Sequence, residues 1–192
     1  VTVTGSVDIN TVGTYSIDYD VSDSSGNNAV TITRTVVVED TEAPVIILAG
    51  DADITLEADS PYSDAGASVT DNYNTGLTAS VDLSSLDLTT VGVYTLTYSV
   101  SDSSGNAATP VYRTITIVDT QAPTITLVGN PTIDIQAGTT YVDPGFTATD
   151  IYDGDLTAQV LVTGTVDTSI LGAITLSYDV SDSSNNDAPT KT

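Results

Sequence analysis

The chain has 192 residues and a formal net charge of −23, from 26 acidic and only 3 basic side chains, and it lacks Cys, His, Met and Trp. So few basic side chains cannot neutralise a phosphate backbone, and no apolar run reaches the ~20 residues of a membrane span, which argues against nucleic-acid binding and membrane insertion. Without thiols or imidazoles there is no Cys nucleophile and no usual zinc site, so carboxylate, hydroxyl and backbone oxygens remain, and these favour hard cations.

In chain order, the apolar residues form short alternating runs that predict β-strands. Tyr15, Ile17 and Tyr19 alternate with polar residues, and a Ser-Asp-Ser-Ser-Gly-Asn turn then leads to Val36–Val38, which predicts a hairpin. The predicted strands that follow are Val45–Leu48, Ile54–Glu57, Ala65–Thr70, Leu77–Leu83, Tyr94–Val100, Thr114–Val118 and Ile174–Val180. No stretch shows helical periodicity, and the 40 % hydrophobic content in such runs argues against disorder.

The chain repeats itself with a period of about 80 residues. The Ser-Asp-Ser-Ser turn places Asp23, Asp102 and Asp182 at intervals of 79 and 80 residues. Other markers keep the same phase, and the predicted organisation is a closing half-repeat over residues 1–40, a complete repeat over 41–119 and a repeat without its last strand over 120–192. We expect the sequence to be a window from a longer array, and about seven short strands per repeat predict a small antiparallel β-sandwich.

Four motifs in fixed order carry a resemblance to a known family. These are Asp-Thr-x-Ala-Pro at 40–44 and 119–123, Tyr-x-Asp-x-Gly at 62–66 and 141–145, Ala-Thr-Asp-x-x-Asp-Gly-Asp-Leu-Thr at 148–157, and the run from Val91 to Asn106. They resemble the Ig-like tandem repeats of large bacterial surface proteins and adhesins, the hyalin-repeat-like and related families. The resemblance implies tandem immunoglobulin-like antiparallel β-sandwiches at the cell surface or outside the cell. Two departures are the stretch 71–76, which lacks the acidic Asp-Gly-Asp, and Ile174, which replaces the usual Tyr.

In a sandwich of that family, the entering linker, the B–C loop and the F–G loop meet at one pole, beside the neighbouring repeat. The oxygen-bearing residues that this brings together in the middle repeat are Asp40, Glu42, Asp71, Asn72, Asn74 and Asp102, and in the last repeat Asp119, Asp150, Asp153, Asp155 and Asp182. Such a set suits Ca²⁺, which would stiffen the joint as in cadherins, whose linkers these resemble. The Asn residues predict weaker binding at the middle pole. The alternative is that aspartates in turns, here Asp23, Asp102 and Asp182, only cap backbone N–H groups.

The leading functional hypothesis is a structural spacer of a bacterial adhesin or extracellular fibre. Its partners are neighbouring repeats of the same chain, and a variant of the hypothesis is a homopolymer built by strand exchange. The alternative is a carbohydrate-binding accessory module of a secreted enzyme or toxin, for which Tyr62, Tyr73, Tyr141 and Tyr152 could form an aromatic platform, although packing at strand ends explains them better.

The remaining charged residues do not predict catalysis. Asp153 and Asp155 are the nearest pair of carboxylates for acid–base chemistry, but a pair on a solvated loop more naturally holds an ion or a turn, so we expect no enzyme activity. Arg34 and Arg113 occupy equivalent positions in their repeats, and each is expected to pair with a nearby Asp for structural reasons.

Overall fold

The computed structural model describes residues 1–192 as an all-β chain whose single helical element is the 3₁₀ turn Thr157–Gln159. The strands are β1 Thr2–Thr4, β2 Gly13–Asp20, β3 Ile32–Val38, β4 Val45–Leu48, β5 Asp53–Glu57, β6 Ala67–Thr70, β7 Ser80–Asp82, β8 Gly92–Ser99, β9 Val111–Val118, β10 Thr124–Leu127, β11 Phe146–Asp150, β12 Gly154–Asp155, β13 Leu161–Thr163 and β14 Ser177–Asp179. No helix is long and apolar enough to cross a membrane. The predicted all-β fold class is confirmed.

The strands form five sheets. Their orders are β1-β2-β3, β4-β6, β5-β9-β8-β7, β10-β11-β12 and β13-β14. Antiparallel pairing sets Ile17 opposite Arg34, and Val81 opposite Tyr98. Along β8, Leu96 and Tyr98 are buried while Thr95 and Ser99 are exposed, so the period-two pattern of the sequence does place one apolar face inward.

Close contacts divide the chain into two compact units. The first comprises residues 1–54, 62–86 and 94–115, and the second comprises 55–61, 87–93 and 116–192. In the second unit, buried residues Ile125, Ala148 and Tyr178 belong to one hydrophobic cluster, and the ring of Phe146 lies 5.2 Å from that of Tyr178. The first unit buries Ile46 and Leu96. Each unit therefore has buried apolar residues of its own.

The core of the first unit contains one buried charge. Arg113 is 0 % exposed, forms an ion pair with Asp64, and lies over the ring of Tyr98 with its guanidinium carbon 5.5 Å from the ring centroid. Its Nε donates to the carbonyl oxygen of Asp51 at 3.0 Å. The structural role predicted for Arg113 is confirmed, because every strong contact of its guanidinium is inside the fold.

Other predictions about individual residues were wrong. Arg34 is exposed and forms no ion pair with an Asp. Its guanidinium carbon instead lies 5.7 Å from the centroid of the Tyr19 ring. The strand predicted over Ile174–Val180 contains only β14, and Ile174 is 41 % exposed. In the middle repeat β8 has strand neighbours on both sides, whereas β14 has one strand neighbour and an isolated bridge to Lys191. The strand predicted over Leu77–Leu83 is shorter, β7.

Candidate functional site: two acidic groups

Three aspartates from three separate segments meet in the first unit. Asp40 follows β3, Asp71 follows β6, and Asp102 opens the turn after β8. One carboxylate oxygen of each lies within 4.8 Å of the others. Asp102 is 8 % exposed, so this middle acidic group (Asp40, Asp71, Asp102) is close-set and largely shielded from water.

Four aspartates meet in the same way in the second unit. The last acidic group consists of Asp119 after β9, Asp150 at the end of β11, Asp153 three residues later, and Asp182 in the turn after β14. Their ligand oxygens again lie within 4.8 Å of one another, and Asp119 and Asp182 are 8 % and 7 % exposed. The structure thus brings together seven of the residues predicted from sequence, in two groups that obey the repeat.

In both groups, one oxygen of a carboxylate is fixed by the backbone and the other is not bonded at all. Asp71 Oδ1 accepts hydrogen bonds from the Tyr73 and Asn74 amides at 3.0 and 2.6 Å. Asp150 Oδ1 accepts from the Tyr152 and Asp153 amides at 2.7 and 3.0 Å. The Oδ2 atoms of four residues are buried without any hydrogen-bond partner: Asp40, Asp71, Asp119 and Asp150.

Such an arrangement of anions is unfavourable unless something compensates it. A buried polar atom without a partner costs about 1–3 kcal/mol, and more when the group is charged. Like charges a few ångströms apart repel one another as well. A cation between the oxygens removes both penalties, and ligands of one Ca²⁺, each at about 2.3–2.6 Å, are at most roughly 5 Å apart. The 4.8 Å limit within each group fits that size.

The turns after β8 and β14 are each held by an asparagine that was not among the predicted site residues. Asn106 Nδ2 donates to Asp102 Oδ2 at 2.7 Å and to the carbonyl oxygen of Asp40 at 3.1 Å. Asn186 makes the same bonds to Asp182 and Asp119, at 2.9 and 3.2 Å. Burial acts to raise the pKa of the Asp102 carboxyl, but hydrogen bonds from Asn106 outweigh it and hold that pKa below the usual value. The sequence did contain a signal for this role, because an asparagine recurs as the sixth residue of the turn motif in all three repeats.

The two groups differ at one position. Asp153 and Asn74 are repeat equivalents, and each holds the serine that follows the turn aspartate. Asp153 Oδ1 accepts from Ser183 Oγ at 2.8 Å, whereas Asn74 Nδ2 donates to Ser103 Oγ at 2.8 Å. The contact is retained and the charge is not, so the middle group has one carboxylate fewer.

Four residues of the predicted set lie outside both groups: Asn74, whose side chain bonds Ser103, and three exposed residues. Glu42 and Asn72 are exposed, and Asp155 is exposed with its Oδ1 accepting from the Thr157 amide at 2.9 Å. Asp155 therefore caps a turn, which is the alternative role stated above for aspartates in turns. Asp23, the counterpart of Asp102 and Asp182, is also exposed and bonds only within its own turn, to Ser25 and Asn27.

Comparison with known proteins identifies the family to which the chain is similar. The family model described as "Bacterial surface protein, Ig-like domain" matches residues 1–38, 46–117 and 125–192. Hyalin of Strongylocentrotus purpuratus is 39 % identical over 126 residues, covering 62 % of this chain and 10 % of that protein. An uncharacterized 81.3 kDa protein of Acholeplasma phage L2 is 33 % identical over 160 residues, covering 79 % of the chain and 21 % of that protein.

A second hyalin, from Lytechinus variegatus, is 32 % identical over 193 residues, which covers 93 % of the chain and 35 % of that protein. The chain thus spans about a third or less of the length of each of these relatives. The family match extends over most of the chain and agrees with the all-β fold and the recurring motifs. The chain therefore belongs to the Ig-like domain family of bacterial surface proteins.

Proposed function

We propose that this chain is a structural spacer of a bacterial surface adhesin or extracellular fibre, and that Ca²⁺ bound at the two acidic groups stiffens the joints between neighbouring repeats. Its work is mechanical and not catalytic. The observation that carries the calcium part is the set of buried, unpartnered carboxylate oxygens of Asp40, Asp71, Asp119 and Asp150.

The position of each group supports a role at a joint. Asp40 and Asp119 belong to the segments that lead from one repeat into the next, while the other members come from loops of the following repeat. An ion bound to both kinds of segment fixes the entering linker to the pole of the following repeat. Because the bound ion restricts the motion of this short linker, it makes the joint between two repeats stiffer.

The charge of the whole chain supports a need for cations. With a net charge of −23 and only 3 basic residues, the protein has almost no internal counter-charge. Two bound Ca²⁺ ions would add four positive charges where carboxylates are closest. The remaining negative charge favours solubility.

The four-carboxylate group is expected to bind Ca²⁺ more tightly than the three-carboxylate group. Affinity at such sites follows the number of charged ligands and the rigidity of the site. Both groups share the fixed Oδ1 atoms and the bracing asparagine, so the additional charge of Asp153 is the main difference between them.

The carbohydrate-binding alternative has less support. The hydroxyl groups of Tyr62, Tyr73 and Tyr152 make hydrogen bonds inside the chain, to Asp64, Val12 and Val91 respectively. An aromatic platform for sugars needs rings held free for stacking on one surface. A glycan array without binding would dismiss this alternative.

Self-association by strand addition is a separate proposal. The two-stranded sheet β13-β14 lies near exposed apolar residues, with Leu161, Ile170 and Leu171 being 62 %, 65 % and 85 % exposed. Exposed strand edges with apolar neighbours favour pairing with a further strand. Sedimentation velocity should then show species larger than a monomer that grow with concentration, and a monomer at all concentrations would contradict the proposal.

Isothermal titration calorimetry of the chelator-treated chain with CaCl₂ tests the calcium site. We expect two binding events, the tighter of which is lost in Asp182→Asn and the weaker in Asp102→Asn. Asp23→Asn is the matched control, since it alters the same turn motif where no acidic group forms. Absence of binding heat, or equal losses from Asp23→Asn and Asp182→Asn, would refute the proposal.

A further inference from the structure

Two tyrosines make the same long-range hydrogen bond. The Tyr73 hydroxyl accepts from the backbone N–H of Val12 at 3.2 Å, and the Tyr152 hydroxyl accepts from the backbone N–H of Val91 at 3.2 Å. Both bonds span 61 residues, so each tyrosine reaches back to the start of a strand in the preceding predicted repeat, β2 or β8. The hydrogen bond recurs at equivalent positions in two repeats, so it is a regular feature of the fold.

Each tyrosine is bonded to an acidic group through its own backbone. Tyr73 and Tyr152 come two residues after Asp71 and Asp150, and their amides donate to the Oδ1 atoms of those aspartates at 3.0 and 2.7 Å. The Oδ2 atoms of the same two carboxylates are buried and unpartnered. A ligand that binds Oδ2 holds the aspartate side chain in place. Because Oδ1 of the same carboxylate accepts the tyrosine amide, the ligand also restrains the loop that carries the tyrosine.

The receiving turn is ordered in advance. Asp8 accepts hydrogen bonds from the Asn10 amide at 3.0 Å and the Thr11 hydroxyl at 2.8 Å, immediately before Val12. Asp87 does the same for the Thr89 amide at 2.9 Å and the Thr90 hydroxyl at 2.8 Å, immediately before Val91. The N–H groups of the two valines are thus presented by turns that their own aspartates hold in shape.

The last repeat contains the same kind of turn. It is also built on an aspartate, Asp167, which accepts from the Ser169 amide at 2.9 Å. The apolar residue two positions after Ser169 is Leu171, as Val91 is two positions after Thr89. The aspartate-built turn therefore recurs in all three repeats.

We propose that Tyr73 and Tyr152 are latches that transmit ion binding at the acidic groups to the preceding repeat. The inference rests on the proposed calcium sites. An ion bound to Asp71 or Asp150 restrains the loop that follows that aspartate. The restrained loop positions the tyrosine hydroxyl, which accepts a hydrogen bond from the residue before β2 or β8 of the preceding repeat. Each tyrosine is a positioning residue that stands outside the ligand set.

Double electron–electron resonance on spin-labelled chain tests the latch. The chain has no Cys, so labels can be placed uniquely at Val93→Cys and Thr147→Cys, both exposed and both in the second unit. With Ca²⁺ we expect a narrow distance distribution that broadens on chelation. In Tyr152→Phe the distribution should stay broad with Ca²⁺, because losing one such hydrogen bond shifts a closed–open equilibrium by about five-fold.

Calcium titration of the same variant separates the latch from the site. Tyr152→Phe should retain both binding events, because no ligand oxygen is removed, and exposed Tyr112→Phe should match the unsubstituted chain in every measurement. A narrow distribution in Tyr152→Phe with Ca²⁺ would overturn the latch while leaving the site intact. Absence of Ca²⁺ binding by the unsubstituted chain would refute the proposed function and the latch with it, so the titration distinguishes that outcome from failure of the latch alone.

Discussion

Asp64→Asn should destabilise the first unit severely, because it leaves a fully buried guanidinium without an anion. Asp64 accepts hydrogen bonds from the hydroxyls of Tyr62 and Tyr98 at 2.8 and 2.6 Å, and it forms the ion pair of Arg113. Arg113 is 0 % exposed, so water cannot replace the lost carboxylate. Breaking one side of a buried pair costs about 3–5 kcal/mol, which is our expected loss in free energy of unfolding.

Asp143→Asn is the matched control in the second unit. Asp143 accepts from the Tyr178 hydroxyl at 2.6 Å and the Gly145 amide at 2.8 Å, and no arginine faces it. Loss of hydrogen bonds to a charged acceptor without a buried counter-ion should cost about 1–3 kcal/mol. Hydrogen exchange measured by mass spectrometry, on peptides from β6 in the first unit and β14 in the second, reports each unit separately.

The pH dependence of this effect has a definite sign. Burial raises the pKa of Asp64, but hydrogen bonds from Tyr98 and Tyr62 and the charge of Arg113 outweigh it and lower the pKa below 3.8. The stabilisation is therefore present above that value and is lost as the pH falls through the lower, folded-state pKa. The Asp64→Asn defect should shrink in strong acid, and a loss no larger than that of Asp143→Asn at neutral pH would refute the reasoning.

Three further predictions have simpler outcomes. Burial and the Asp143 carboxylate raise the pKa of Tyr178 to about 12. The stabilisation that the protonated Tyr178 hydroxyl gives the fold is therefore complete below pH 10.0 and is lost as the pH rises towards 12. Circular dichroism should show unfolding at alkaline pH, and Tyr178→Phe should delay it. Asn185 has φ +67° where its counterparts are glycines, so Asn185→Gly should leave thermal stability unchanged or slightly higher, while Gly105→Ala (φ +93°) should cost about 1 kcal/mol in urea unfolding. Asn186→Ala should cost about 1 kcal/mol and weaken calcium binding, whereas Asn27→Ala, whose asparagine contacts only its own turn, should leave calcium binding unchanged.

Local patterns were sufficient to predict the strands and the residues of the acidic groups. Val45–Leu48 forms β4 as expected, because alternation and bounding turns depend only on near neighbours. Seven of the eleven predicted site residues converge because a repeated sandwich returns its loops to the same pole. The strand predicted over Ile174–Val180 is reduced to β14. Its extent could not be predicted from periodicity, because a strand also needs neighbouring strands to pair with.

The finer chemistry of the site depends on distances that sequence does not contain. Glu42 and Asp155 have the same chemistry as Asp40 and Asp150, yet they are exposed and take no part in the groups. Which carboxylate oxygen is fixed and which is unpartnered follows from three-dimensional contacts alone. The same is true of Tyr152, whose hydroxyl reaches a strand 61 residues away.

A crystal structure from crystals grown with millimolar CaCl₂, with anomalous diffraction to identify calcium, would show whether the acidic groups bind the ion. We expect one anomalous peak in each acidic group, within about 2.3–2.6 Å of Asp40 Oδ2 and Asp71 Oδ2 in one and of Asp119 Oδ2 and Asp150 Oδ2 in the other. Full occupancy is expected at the four-carboxylate group first. Water or empty density at both groups, or calcium only at exposed residues such as Glu42 and Asp155, would contradict the proposed calcium sites.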